Sequence, residues 1–234
     1  GSQLNDHRGA VLMALPPSSR RHTHGFTLVE LLVALGIMAL MAILGWRGLD
    51  GLSRAQAAAQ TRSDEVLTVQ AALGQWNADL AAMLQLDQTQ ALDWDGRVLR
   101  ITRRSSVPGD PGPRVVAWTR RSGNGLWLRW QSDPLTTRGA WQEAWARAAL
   151  WAQNPGEAER RGEVALFALD GWQLFYFRGN AWTNPMSSAG TPSPTATLPD
   201  GVRLVLDLPG GQALAGRITS DWVRPTVSPA EPQS

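Results

Sequence analysis

Residues 25 to 44 read G-F-T-L-V-E-L-L-V-A-L-G-I-M-A-L-M-A-I-L. From Phe26 to Leu44 the run holds 19 residues and one charge, Glu30. As a helix rising about 1.5 Å per residue it spans about 28 Å, enough to cross a bilayer core. A chain with such a run has its first element fixed before any other is considered. Arg20, Arg21, His22 and His24 precede it, so the positive-inside rule puts the N-terminus in the cytoplasm and everything after Trp46 in the periplasm. Trp46 and Arg47 suit the outer membrane interface. A carboxylate inside a membrane helix costs roughly 2.5–3.5 kcal/mol at its centre, so Glu30 reads as functional.

The order Gly25-Phe26-Thr27-Leu28-Val29-Glu30-Leu31-Leu32-Val33 resembles the cleavage and methylation signal of type IV pilin-like proteins. The resemblance implies that a prepilin peptidase cuts between Gly25 and Phe26 and methylates the Phe26 amine. It also implies that Glu30, the fifth residue after the cut, pairs with the N-terminal ammonium of a neighbouring subunit and sets the axial register of a filament. Buried opposite charges are tolerable when paired. An ordinary signal anchor would gain nothing from an acid at this place. The fold implied is an α+β pilin-like one, with a long N-terminal helix packed on antiparallel β-sheet.

Composition narrows the chemistry. All 22 residues counted as Lys or Arg are Arg, and the chain has no cysteine. Three of those arginines and one of the 20 acids precede the expected cut, which leaves 19 of each. A balanced chain gives no basic surplus for nucleic acid, and no nucleic-acid partner is expected. His7, His22 and His24 also precede the cut. The mature chain would thus lack His, Cys and Lys, which excludes His-based triads, Cys–His dyads, Schiff bases and His-ligated zinc. No cofactor and no enzyme activity are expected. Gly1-Ser2 is not a natural translation start, and Met13 is expected to be the true one, giving a compact leader from Met13 to Gly25.

Beyond the membrane run, Gly45, Gly48 and Gly51 soften the helix or mark a close packing contact. Ala59, Arg62, Val66, Val69, Leu73, Trp76, Leu80 and Met83 then alternate steps of three and four, an amphipathic stripe for packing on a sheet. The helix is expected to end near residues 88–92, before Asp93-Trp94-Asp95-Gly96. Strand-like segments follow. Val98–Arg103 is a single strand. Three hairpins are expected: Arg114–Arg121 with Gly125–Gln131, Gly162–Leu169 with Trp172–Arg178 across Asp170-Gly171, and Val202–Leu208 with Leu214–Ser220 across Pro209-Gly210-Gly211. Ser132–Glu159, with an Ala-rich piece at 144–152, reads as a short helix or an irregular strand. Asn184–Pro199 reads as a mobile loop and residues 225–234 as a disordered tail. The expected organisation is a leader (1–25), a membrane half-helix (26–46), a periplasmic amphipathic half-helix (47–92) and a β-rich periplasmic domain (93–224).

Chain length, Arg47-Gly48-Leu49, Asp79 late in the helix, and Leu198-Pro199-Asp200-Gly201-Val202-Arg203-Leu204-Val205-Leu206 with a glycine hairpin and a last strand near Arg217-Ile218 are similar to the J-type minor pseudopilins of type II secretion. That resemblance implies assembly with I-type and K-type minor pseudopilins into the tip that starts the pseudopilus, on an inner-membrane assembly platform, in support of export of folded proteins across the outer membrane. The Trp-rich stretch 141–151 departs from the family pattern. Two other function classes stay open: a minor type IV pilin for motility, adhesion or DNA uptake, and a membrane-anchored glycan-active enzyme. Asp93 and Asp95 read as a turn rather than a calcium loop, which would need a later Glu in register. Glu157, Glu159 and Glu163 read as a solvated charge cluster. Most of the 12 Trp read as core, with Trp141 or Trp182 as interface anchors.

Overall fold

The computed structural model describes residues 25–110, 112–188 and 198–225. The leader before Gly25, residues 189–197 of the expected loop and the tail beyond Pro225 lie outside the described residues. By its contacts the chain divides into Gly1–Ala55 and Gln56–Ser234. Helix α1 covers Leu28–Ala81 and is unbroken at Gly45, Gly48 and Gly51. The expected loosening there is absent, and a Cβ at any of the three would meet nothing within 4 Å.

The second unit holds two antiparallel sheets. The first has the order β1-β2-β3-β4-β5, from β1 (Leu92–Trp94), β2 (Val98–Arg103), β3 (Arg114–Arg120), β4 (Leu126–Gln131) and β5 (Glu163–Ala168). The other has the order β7-β6-β8-β9, from β6 (Gly171–Arg178), β7 (Ala181–Thr183), β8 (Gly201–Leu208) and β9 (Gly216–Val223). Helix α2 (Arg138–Gln153) and the short α3 (Glu157–Arg160) lie between β4 and β5 in sequence.

The period-2 alternation of strands splits the first sheet's side chains between two cores. Leu99, Ile101, Val116, Trp118 and Trp127 join Trp76 and Leu80 of α1 and Leu174, Leu204 and Leu206 of the second sheet. Val98, Val115, Ala117, Leu128 and Trp130 point the other way, onto Trp141, Ala144, Trp145, Ala148 and Trp151 of α2. In the first core the rings of Trp76 and Trp118 meet edge to face, with centroids 5.3 Å apart, and Trp94 meets Trp172 the same way at 4.9 Å. That is a favoured arrangement of aromatic quadrupoles.

Two expectations need correcting. The first concerns the helix end. Helix α1 stops at Ala81, about ten residues early, because residues 82–91 are captured by β2. Leu84 N–H donates to Thr102 O at 2.8 Å, Arg104 N–H to Ala82 O at 2.9 Å and Thr102 N–H to Ala91 O at 2.9 Å. Gln88 takes φ 58°, which no helix continues through. The second concerns Asp170-Gly171, which joins the two sheets instead of closing a hairpin. Strand β5 pairs with β4 and β6 pairs with β8. A two-residue I′ turn needs positive φ at both central residues, and neither residue has it. Their neighbourhood is bonded elsewhere: Leu169 N–H to Gly125 O and Asp170 N–H to Asp207 O, both at 2.8 Å. The turn that does meet the I′ requirement is Gly179-Asn180, with φ 54° and 72°, between β6 and β7.

Of the two alternatives for Ser132–Glu159 the helix is the one present: 138–153 is a regular helix, and Thr137 Oγ1 caps it by accepting from Ala140 N–H at 3.1 Å. The described part of the expected loop Asn184–Pro199 opens with a 3-10 turn at Pro185–Ser188. The hairpins β3–β4 and β8–β9 are present as expected.

On the outer side of the second sheet Arg203 grips Asp221 with two bonds of 2.7 and 2.6 Å. Hydrogen bonding to Arg203 holds the Asp221 carboxyl below its ordinary value of 3.8. A lowered folded-state value stabilises the native chain above 3.8, and that contribution disappears as pH falls through the lowered value. Asp221→Asn is therefore expected to flatten the acid limb of stability measured by urea unfolding, with no change near neutral pH beyond loss of a half-exposed pair.

Candidate functional site at the N-terminal helix

The start of α1 is set by two side chains. Thr27 Oγ1 accepts from Glu30 N–H at 3.2 Å, and Glu30 Oε2 accepts from Thr27 N–H at 2.9 Å and from Thr27 Oγ1–H at 3.0 Å. This is a reciprocal capping box, T-x-x-E, which satisfies backbone donors that the helix cannot. The sequence carried that signal, and Thr27 is the residue that attention to Glu30 alone misses. Glu30 Oε1 makes no hydrogen bond among the described residues. It faces outward, as do Phe26, 87% exposed, and the apolar side chains from Leu28 to Leu44. From Leu31 to Trp46 no residue is ionisable. The most apolar 18 residues of α1 have mean hydropathy 2.5 and none is buried. This helix is long and apolar enough to cross a membrane. A fully exposed apolar surface of this length is stable in lipid, where helices satisfy their own backbone.

A sequence profile for the prokaryotic N-terminal methylation motif matches residues 20–46. The chain carries the methylation motif of the type IV pilin and pseudopilin class. The motif supports a place in the pilin-like superfamily, processing by a prepilin peptidase and single-pass anchoring in the membrane. It points to a structural protein rather than an enzyme. The long apolar helix followed by antiparallel sheets is the α+β architecture expected of that class. No curated protein matches the chain.

A second constellation lies where α1 meets the first sheet. Asp79 is fully buried, on the α1 face that also carries Trp76 and Leu80. Its Oδ2 accepts from Arg129 Nε at 2.8 Å and from Trp118 Nε1 at 2.9 Å. Its Oδ1 accepts from Arg129 Nη2 and from Gln75 Nε2, both at 2.9 Å, and from Arg103 Nη1. Arg129 also donates to Gln131 Oε1 at 2.9 Å, and Arg103 Nε to Arg104 O at 3.1 Å. Every lone pair of the carboxylate is used, which is the condition for burying a charge. The cluster ties α1 to β2, β3 and β4. It reads as an anchor for the helix.

The other candidates separate. Asp93 pairs with Arg100, while Asp95 Oδ1 accepts from Arg97 N–H at 2.9 Å and Val98 N–H at 2.8 Å and shapes the β1–β2 turn, with Gly96 at φ 89°. Among the described residues no three His, Cys, Asp or Glu stand together as metal ligands. The acids near α3 are not one solvated cluster. Glu159 caps Gly156 N–H at 2.9 Å, whereas Glu163 accepts from Trp151 Nε1 at 2.6 Å and Arg121 Nη2 at 2.9 Å. Trp141 is buried in the α2 core, stacks on Trp145 at 5.1 Å and donates to Thr102 Oγ1 at 2.9 Å, so it is no interface anchor. Trp182 is half-buried, with the Arg203 guanidinium 4.2 Å above its ring.

Proposed function

We propose that this chain is a J-type minor pseudopilin of type II secretion, cut between Gly25 and Phe26, methylated on Phe26 and assembled with I-type and K-type subunits into the pseudopilus tip. The domain following α1 stands in the periplasm. The observation that carries the reading is Glu30 with one carboxylate oxygen unoccupied, alone among apolar side chains, four residues after the expected new N-terminus. An isolated carboxylate there is costly unless a counter-charge arrives, and the ammonium of a neighbouring Phe26 is of the right sign and depth. The strand Gly201–Leu208 and the glycine turn after it support the J-type assignment.

Processing gives the direct test. Gly25 has open space where a Cβ would stand, so Gly25→Leu is sterically harmless to the chain itself and should block the peptidase alone. The expected result is a full-length precursor held in the membrane, read by intact mass. A mature N-terminus other than Phe26 in the parent protein would remove the basis of the reading. Co-purification from membranes decides the system: I- and K-type partners are expected, and recovery with pilus subunits in their place would make the chain a minor type IV pilin.

A further inference from the structure

Strand β5 ends the first sheet, with β4 on one side and, among the described residues, no strand on the other. Its pairing with β4 passes from Trp127–Phe167 to Leu128–Ala165, so Leu166 is an extra residue with no partner. A groove of about 430 Å³ runs along this edge. Leu166, Phe167 and Ala168 line it together. The bulged Leu166 and its neighbour Phe167 both pack on the core shared with α1, so the groove lies on the α1 side of this edge. The opposite wall is one face of α1, with Asp64, Glu65, Thr68 and Val69, and Leu214 stands at the β8–β9 turn.

Edge strands are usually guarded by Lys, Pro or a covering element. The sequence Glu163-Val164-Ala165-Leu166-Phe167-Ala168 contains no basic residue and no proline, and Val164 is 51% exposed. The charge on the far wall is one-sided. Neither Asp64 nor Glu65 takes part in an ion pair among the described residues. Among the described residues the Asp64 carboxylate accepts only from Gln60 at 2.9 Å, and that of Glu65 only from Ala213 N–H at 2.6 Å.

From this we infer that the β5 edge accepts an extended, arginine-bearing segment of a different subunit, which adds to the first sheet as a further strand. Its main chain bonds to the free edge, its apolar side chains meet Leu166, Phe167 and Val69, and its cation meets Asp64 and Glu65. Strand addition derives affinity from main-chain bonds and specificity from alternate side chains. A second copy of this chain is a poor occupant, because its β5 carries no basic side chain to meet Asp64 and Glu65.

The inference takes its neighbour from the reading of the chain as a filament subunit, but its test is separate from co-purification. The full chain in detergent is titrated into a fluorescein-labelled, amidated hexapeptide, Arg-Val-Thr-Val-Arg-Val, and binding is read by fluorescence polarisation. Binding is expected for this peptide and not for its counterpart with Glu in place of Arg. Backbone N-methylation of alternate residues on the bonding edge should abolish binding. Asp64→Arg, an exposed helical position, should weaken it about fivefold or more, the effect of one partly exposed charge contact. Equal binding to the parent and the Asp64→Arg chain would mean micelle adsorption and overturn the inference. So would equal binding of the acidic peptide, absence of binding, or self-association of the chain that Val164→Lys removes. Loss of I- and K-type partners with peptide binding intact would instead overturn the secretion assignment and leave this surface standing.

Discussion

Asp79→Ala is expected to cost about 3–5 kcal/mol, the range for stripping one partner from a buried ion pair. Domains of ordinary stability have about 5–15 kcal/mol in total, so the variant should lose a large share of its stability and unfold at markedly lower urea. The size follows from what is left behind. Arg103 and Arg129, both nearly buried, would keep their charges with no carboxylate to meet them, and Trp118 Nε1 and Gln75 Nε2 would lose their acceptor. Urea unfolding of the full chain in detergent, followed by tryptophan fluorescence, measures it. The test has a second arm. Replacing the cluster as a whole, Asp79→Leu with Arg103→Met and Arg129→Met, should recover much of the loss, since a buried charge network often stabilises no better than apolar side chains of similar volume. A loss under about 1 kcal/mol for Asp79→Ala would put this pair in the class of surface salt bridges and remove its role as anchor.

Glu30→Val is expected to act on assembly and leave the fold alone. Glu30 touches only Thr27, and losing one cap costs about 1 kcal/mol in a helix that lipid supports for many turns. The chain should insert, be cut and fold. In the proposed tip assembly, however, a neighbour's ammonium would lack its counter-charge. That costs about 3–5 kcal/mol, on the order of a hundredfold or more in association. Recovery of the tip complex from membranes, normalised to processed subunit, is the readout. Glu30→Asp, which keeps the charge but shortens the reach, should fall between the two. Unchanged recovery with Glu30→Val would end the pairing proposal.

These two sites differ in how legible they were. The apolar run, its charge and its flanks are contiguous, so the membrane helix and the methylation motif stand in the sequence itself. Hairpins β3–β4 and β8–β9 were legible because glycines mark their turns, with Gly125 at φ 68° and Gly211 at φ 87°. Asp170-Gly171 has the same look, but a dipeptide does not report its own φ, and long-range bonds to Gly125 and Asp207 decide it. The spacing Trp141, Ala144, Trp145, Ala148, Ala152 could have identified α2 as a helix with one apolar face. The end of α1 could not be placed, because Thr102 and Arg103, some twenty residues on, terminate it. Asp79 was visible as an acid late in the helix. Its role was not, since its partners Arg103, Trp118 and Arg129 stand 24, 39 and 50 residues away.

The single crossing at Asp170-Gly171 divides the domain in time as well as in space. All strands of the first sheet precede it in the chain and all strands of the second follow it. On the proposed topology the N-terminus stays in the cytoplasm and the rest of the chain crosses in sequence order, which delivers β1 to β5 and α2 first. That portion can close the core against α2 by mostly local pairings, which form early. Its opposite face, with Trp118, Trp127 and the α1 indole of Trp76, has no cover until β6 and β8 arrive. During that interval the nascent subunit shows a broad aromatic surface, the kind that invites wrong association. Emergence of Leu204 and Leu206 closes it. The last quarter or so of the polypeptide thus ends the sticky phase of its own delivery, and a chain halted near residue 170 should need a holdase where the finished one does not.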